Sequence, residues 1–140
     1  MKKVFLIIAI AIFSLQPVFG VNWVQIDDKR YIDLDSLQKF NDSINYKIKG
    51  YTFWEKYLND KSSIFIDAEK IYGKKIWYSL NNVVIDCENK KIALRSYIDY
   101  DLSKKVLGSH TYEDILLNWS IIAPETIGDV QYNLICKPNK

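Results

Sequence analysis

The sequence contains very little histidine and cysteine, the residues that many enzyme nucleophile and zinc sites require. Its 140 residues include one histidine, His110, and two cysteines, Cys87 and Cys136. A Ser/His/Asp or Cys/His arrangement would have to use that single histidine. The cysteines also lack the CxxC spacing of a redox or zinc site. We therefore predict that the chain is not an enzyme and has no metal or cofactor, and that His110 is a polar residue at a strand end.

The chain also lacks an excess of charge of either sign. It has 19 basic and 17 acidic residues, and two of the basic ones, Lys2 and Lys3, belong to the N-terminal leader described next. The remainder therefore carries 17 charges of each sign and is neutral overall. Because a nucleic-acid-binding surface needs a basic face to neutralise phosphates, we predict no nucleic-acid partner.

Long apolar runs are absent except at the N-terminus. Val4–Leu15 is apolar apart from one serine and has 12 residues, whereas a membrane-spanning helix needs about 20. Two lysines precede this run, and the small residue Gly20 follows it, as in a secretory signal peptide. We predict a signal peptide over residues 1–20, with an uncleaved membrane anchor as the less favoured alternative. Residues 21–140 then form a single exported domain without a transmembrane segment.

The two cysteines allow a single intramolecular pairing, and an extracytoplasmic compartment lets a disulfide persist. A bond between Cys87 and Cys136 would close a loop of about 50 residues, for which the chain-entropy estimate is about 4 kcal/mol of stabilisation. We therefore predict a structural disulfide that holds the last segment of the domain onto its middle.

Alternation of apolar and polar residues predicts an antiparallel meander. In the clearest hairpin, a strand containing Val83 and Ile85 turns at Glu88–Lys91, and a second strand runs back from Ile92 to Ile98. A first hairpin is predicted around the turn signal Asp27–Asp28.

Other segments are less regular. Asp101–Lys104 is predicted to turn into a short strand around Val106. Asp33–Leu37 is predicted to be a capped turn or one short helical turn. A half-buried strand is predicted from Tyr46 onward, with a bulge at Gly50. Loops are predicted at Asn59–Ser63 and at Ile71–Lys75.

The C-terminal segment has the signals of a helix. Pro124 interrupts the chain, and Thr126 with Asp129 three residues later resembles a capping box with Asp in place of Glu. Ile127, Val130 and Leu134 would form the apolar stripe of that helix. The residues from Val130 to Cys136 also alternate, so a strand remains an alternative, but the cap signals favour the helix. The predicted fold class is therefore α+β, an antiparallel β-sheet meander with a C-terminal α-helix tethered to the sheet by the disulfide.

Several short motifs, taken together, resemble those of one protein family. In chain order they are Trp23, Tyr31-Ile32-Asp33, Ser36-Leu37, Ile85-Asp86-Cys87, Tyr97, Val106, the block Trp119–Asp129 and finally Cys136. This order is similar to that of the surface-adhesin protein E family of Gram-negative bacteria, and the Trp119–Asp129 block followed by the terminal cysteine is its most specific part. The resemblance covers Trp23 to Cys136. The segment from Ser63 to Tyr78 matches none of its motifs, and the lipidation cysteine is missing.

The resemblance implies an antiparallel sheet with a disulfide-tethered C-terminal helix, and residence in the periplasm or at the cell surface. The founding adhesin binds host matrix and serum proteins, so the resemblance implies adhesion as the function.

Candidate binding residues are lysine pairs at predicted turns, Lys90 with Lys91 and Lys104 with Lys105, which would offer local positive charge to an acidic partner. The turn bearing Lys90 and Lys91 is the first choice because it joins the two best-defined strands. Aromatic residues would add rigid contact area. They are Tyr51, Phe53, Trp54, Trp77 and Tyr78.

The acidic pairs Asp33 with Asp35 and Asp99 with Asp101 would suit a calcium site or an acid/base pair. Each falls at a predicted turn, where Asp hydrogen-bonds the local backbone, and we favour that interpretation.

The sequence thus predicts an exported non-catalytic binding protein that adheres to a host matrix or serum protein. The alternatives are a periplasmic module bound to an envelope component and a small-molecule carrier. A carrier would need a concave aromatic pocket between sheet and helix. The sequence does not indicate an oligomeric state.

Overall fold

The computed structural model describes residues 21–40 and 48–137. The predicted signal peptide and the predicted strand start at Tyr46 lie outside these residues. Seven strands and two α-helices occur in the described residues. They are β1 (Trp23–Gln25), β2 (Arg30–Phe40), β3 (Gly50–Leu58), α1 (Ser63–Tyr72), β4 (Ile76–Asp86), β5 (Lys91–Asp101), β6 (Val106–Thr111), β7 (Ser120–Ile121) and α2 (Ile127–Cys136). In the described part of the chain, neither helix has the length and apolar character needed to cross a membrane.

The strands form one antiparallel sheet in the order β1-β2-β3-β4-β5-β6, and β7 pairs with the start of β5. The predicted meander and both predicted hairpins are confirmed. Aspartates support the hairpin turns. Asp27 Oδ1 accepts hydrogen bonds from the backbone N–H groups of Lys29 and Arg30, both at 2.7 Å. Asp86 Oδ1 does the same for Glu88 at 3.0 Å and Asn89 at 3.1 Å.

The two sheet faces are covered differently. On one face, buried side chains of the sheet, of α2 and of the segment before α2 form a core. Its members are Ile32, Phe53, Val83, Ile85, Ile122, Tyr132 and Ile135. On the other face a smaller core lies beneath the segment that follows β6; its members are Phe40, Val84, Ala93 and Leu117. Because neighbouring strand residues point to opposite faces, Val83 and Val84 belong to different cores.

Helix α1 was not predicted, and the loops predicted at Asn59–Ser63 and Ile71–Lys75 are wrong where they overlap it. Its signals are local. Ser62 occupies the N-cap position, and Gly73 ends the helix in the left-handed conformation, with φ of 64° and its N–H bonded to the carbonyl of Glu69. Phe65 is the buried anchor of the helix and packs on Tyr57, with ring centroids 5.0 Å apart.

The turn predicted at Asp33–Leu37 is wrong, because these residues lie within β2 at a shift in its register against β3. Asp33 Oδ1 accepts from the N–H of Asp35 at 3.1 Å. The Ser36 hydroxyl donates to the Asp33 carbonyl at 2.6 Å and accepts from the N–H of Trp54 at 2.8 Å. Turn-like side-chain bonds therefore occur inside a strand, where they accommodate the shift.

The bulge predicted at Gly50 is also wrong, because β3 and β4 pair without a register shift from Gly50 opposite Asp86 to Leu58 opposite Tyr78. The glycine is required for another reason: a Cβ atom there would collide with the carbonyl oxygen of Ile85.

Helix α2 is confirmed. The Thr126 hydroxyl accepts from the N–H of Asp129 at 3.3 Å, and the Cys87–Cys136 disulfide joins the helix to the end of β4, with Cα atoms 5.5 Å apart. The predicted apolar stripe is only partly right, because Val130 is 44% exposed whereas the polar Gln131 is buried. Gln131 can face the sheet because a carboxylate there accepts its amide hydrogen bond, as described below.

Candidate ligand-binding groove

The face of the sheet that carries both helices is not fully covered. Between α1 and α2 lies an open groove of about 1030 Å³. Its floor is formed by strands β3, β4 and β5, and its walls by α1 on one side and by α2 with the segment from Tyr112 to Ser120 on the other. The groove exists because each helix packs over a different part of the sheet and leaves the space between them open.

The walls of the groove present aliphatic side chains to solvent. On α1, Ile64 is 72% exposed and Ile71 is 82% exposed, although both line the groove. Leu116 is exposed on the other wall, and Leu94 of β5 is exposed on the floor. A concentration of exposed apolar side chains around a concave surface is typical of a binding site.

Glu55 lies on the floor of the groove. It is 5% exposed, and Gln131 Nε2 of α2 donates a hydrogen bond to its Oε2. Its other oxygen, Oε1, accepts a longer bond of 3.4 Å from Asn81 Nδ2 on β4. Burial raises the pKa of the Glu55 carboxyl, and the Asn81 hydrogen bond and the positive charge of Arg30 offset this only in part.

A second carboxylate, Asp99, lies near the α1 end of the floor and is also 5% exposed. The Tyr72 hydroxyl donates to its Oδ2 at 2.8 Å, and the Ser79 hydroxyl donates to its Oδ1. Burial and the neighbouring carboxylate raise the pKa of Tyr72. The ring of Tyr72 packs on Gly108, where a Cβ atom would collide with it. Asp99 thus attaches the last turn of α1 to the sheet.

The two carboxylates are separate features of the floor. Glu55 on β3 and Asp99 on β5 flank β4 and are offset by two residues, because Glu55 pairs with Asn81 and Asp99 with Ser79. Usual strand spacing and rise place their Cα atoms about 12 Å apart.

Arg30 is the basic residue of the groove lining. Its guanidinium forms an ion pair with Asp27 at 2.9 Å and stacks 3.9 Å from the ring centroid of Tyr57. Its charge is therefore already compensated at the groove edge.

The structure places the predicted lysines outside the groove. Lys90 immediately precedes β5 and Lys91 is its first residue, whereas Lys104 and Lys105 follow its last residue. The two lysine pairs are therefore separated by the length of the strand, roughly 30 Å. They do not form one surface. Lys90 Nζ lies 4.9 Å from the ring centroid of Tyr132.

The end of β5 near Lys104 carries what we call the aromatic–lysine patch, defined as Lys56, Trp77, Tyr78, Tyr100 and Lys104. The ammonium groups of Lys56 and Lys104 lie 5.8 and 5.9 Å from the ring centroid of Trp77. Tyr78 stacks on Tyr100 with centroids 4.8 Å apart. The remaining predicted aromatic contacts are elsewhere: Phe53 is in the core, Tyr51 packs against it and Trp54 lies on the sheet face opposite the groove.

The predicted acidic pairs do not form shared sites. Asp101 is at a turn, as predicted, and accepts from the N–H groups of Ser103 and Lys105. The turn prediction is wrong for Asp99, which is buried in β5, and for Asp33, which lies within β2. Among residues 21–40 and 48–137, no three side chains of His, Cys, Asp or Glu come together as a metal site would require. His110 lies near the end of β6, 4.5 Å from Tyr112 between ring centroids.

Sequence reasoning missed Glu55, Asn81 and Gln131. A signal was present for one of them, since Asn81-Asn82 interrupts the apolar alternation that leads into Val83-Val84-Ile85. A polar residue in such a position must find a partner or a ligand.

Comparison with known proteins gave no match: no protein family, no curated protein and no solved structure is significantly similar to this chain. The resemblance to the surface-adhesin protein E family therefore stays a prediction.

Proposed function

We propose that this chain is an exported, non-catalytic binding protein whose ligand is an amphipathic small molecule held in the groove between α1 and α2. The observation that carries the proposal is the coexistence of exposed aliphatic walls with a floor of buried carboxylates in one concavity. Pockets of roughly 300–1,000 Å³ typically bury most of a small ligand and combine apolar walls with a few polar groups. This is the small-molecule carrier that the sequence left as an alternative.

Binding of a neutral, environment-sensitive dye such as Nile red tests the proposal. We expect saturable binding of one dye per chain with a rise in fluorescence. Ile71→Ser should weaken it roughly fivefold, because one aliphatic wall residue loses its contact with the dye.

The same helix provides a matched control. Ile66 is also an exposed isoleucine of α1, 44% exposed, and lies outside the groove lining. Ile66→Ser should leave dye binding unchanged. Equal effects of the two substitutions, or no saturable dye binding at all, would contradict the proposal.

A second candidate function is adhesion to a host matrix or serum protein, or to an envelope component, and the aromatic–lysine patch favours it. The patch combines aromatic area with two lysine ammonium groups, the combination expected at a contact with an acidic partner. The predicted first choice, the turn with Lys90 and Lys91, has one aromatic neighbour in Tyr132. Periplasmic or surface residence remains part of this proposal.

Charge reversal separates the two possible contact surfaces. Lys56→Glu with Lys104→Glu should slow association with immobilised matrix proteins or envelope extracts at low salt, whereas Lys90→Glu with Lys91→Glu should not. The reverse pattern would favour the turn at Lys90. Protease treatment of intact cells would degrade a surface adhesin and spare a periplasmic protein.

A further inference from the structure

We infer that the ligand of the groove is an amine with an apolar chain or ring, and that Glu55 receives its ammonium group. The inference rests on the proposed function, because it names the chemical class of the molecule that the groove would hold. It starts from the charges of the groove lining, in which Arg30, Glu55 and Asp99 are the charged side chains.

The carboxylates of the floor have no cationic partner in the described part of the chain. Its ion pairs include neither Glu55 nor Asp99, and Arg30 is paired with Asp27. An anionic ligand would therefore meet two carboxylates without a free basic side chain in the lining to offset the repulsion. A cationic ligand would meet complementary charge on the floor.

Of the two carboxylates, Glu55 has more unused capacity to accept hydrogen bonds. Both oxygens of Asp99 receive hydroxyl donors, from Tyr72 and from Ser79. Glu55 receives two neutral amides, and the one on Oε1 is at 3.4 Å. Because an ionised carboxylate has about four acceptor positions, an ammonium group can add to Glu55 without displacing Gln131.

When no ligand is bound, burial disfavours the ionised form of Glu55, because the carboxylate has no positive partner among the described residues. A bound ammonium group would supply that partner. Above this position the walls are aliphatic, with Ile64 and Ile71 on one side and Leu116 on the other. The ligand should therefore carry its amine at one end and an apolar group at the other.

Three eight-carbon compounds that differ in one group test the inference by displacing Nile red: octylamine, octanol and octanoate. We expect octylamine to displace the dye at a concentration about tenfold lower than octanol, because a charge-assisted hydrogen bond is stronger than a neutral one. Octanoate should be the weakest. Equal displacement by all three would overturn the inference and leave the proposed function standing, whereas no dye binding would remove both.

Glu55→Gln tests the assigned residue. It should bring the octylamine-to-octanol ratio close to one, and Asp99→Asn should leave that ratio near tenfold. The opposite result would overturn the assignment to Glu55. Glu55→Asp, which keeps the charge, is the second variant if Glu55→Gln does not fold, and it should retain a preference for octylamine. Thermal unfolding of each variant verifies folding.

The pH dependence gives a second readout. Two charged groups act on Glu55: the positive charge of Arg30 at the start of β2, and the negative charge of its partner Asp27 in the preceding turn. The neutral amides of Asn81 on β4 and Gln131 on α2 donate hydrogen bonds to it. Because burial raises the pKa of Glu55, acidification protonates it before an ordinary glutamate, so octylamine affinity should fall as the pH is lowered while octanol affinity stays constant. Parallel pH profiles for the two compounds would contradict the inference.

Discussion

At the residue scale, burial and charge oppose each other at Glu55. The side chain lies on the sheet beneath α2, and burial raises its pKa above the ordinary value of 4.5. For an acid with a raised pKa in the folded state, the stability it contributes is fully present below the unfolded pKa. That contribution is lost as the pH rises through the folded pKa. The unliganded protein should therefore lose stability as the pH increases from about 4.5 toward neutrality.

Glu55→Gln should remove this loss. We expect the variant to be more stable than the original chain at pH 7 and to differ little from it at pH 4, because glutamine carries no charge, its amide oxygen still accepts from Gln131, and its amide NH2 replaces only the long contact with Asn81. Urea unfolding at several pH values measures this. Glu88→Gln, a change at an exposed carboxylate 3.8 Å from Lys49, is the control and should show no such pH dependence. A Glu55→Gln protein less stable than the original at pH 7 would contradict the prediction.

At the scale of the element, α1 is attached at three points, one of which is Glu69, whose Oε1 accepts from Asn59 Nδ2 at 2.9 Å and from the N–H of Ile76 at 3.0 Å. Phe65 is buried against Tyr57 at its start, and Tyr72 bonds to Asp99 and packs on Gly108 at its end. The isoleucines between them contribute little, because they remain exposed. Helices held by few buried contacts open locally at low free-energy cost.

Tyr72→Phe should therefore lower stability by about 1–3 kcal/mol, because Asp99 loses one of its two hydroxyl donors while staying buried. Hydrogen exchange should show faster exchange at α1 amides and little change in β4 and β5. Tyr31→Phe on β2 is the control. Equal acceleration across the sheet would show that α1 does not open independently.

Local signals explain which elements could be predicted. The hairpin turns at Asp27 and Asp86 and the cap at Thr126 depend on side chains that bond backbone groups two or three residues away, so their patterns are visible in the sequence. The same kind of bond at Asp33 is compatible with a turn or with a shifted strand, which is why that prediction failed. Ile64, Ala68 and Ile71 follow the i, i+4, i+7 spacing of an amphipathic helix, so α1 also had a local signal, which the loop predictions on either side of it overlooked.

The site could not be predicted in the same way. Glu55 meets Gln131 across 76 residues of chain, and no local pattern indicates that the two face each other. The predicted lysine pairs were correctly placed near turns, but their separation by the length of β5 follows from the tertiary fold.

At the scale of the whole molecule, the Cys87–Cys136 disulfide connects the sheet to the helix that forms one wall of the groove. Cys136→Ser should lower the free energy of unfolding by about 2–5 kcal/mol, because the unfolded chain regains the freedom of a loop of about 50 residues. Urea unfolding with and without reductant measures the loss. Thiol titration of the unfolded, unreduced protein should find no free cysteine, and two titratable thiols would contradict the bond.

The sequence separation of these contacts also has a consequence for the order of assembly. Strands β1 to β6 pair with their neighbours along the chain, so the meander can form from short-range contacts, which are the fastest to establish. Helix α2 must instead return from the end of the described chain to the middle of the sheet, where Gln131 reaches Glu55 on β3. We therefore expect a newly synthesised chain to complete its sheet first and to acquire the second wall of its groove only when its last helix docks.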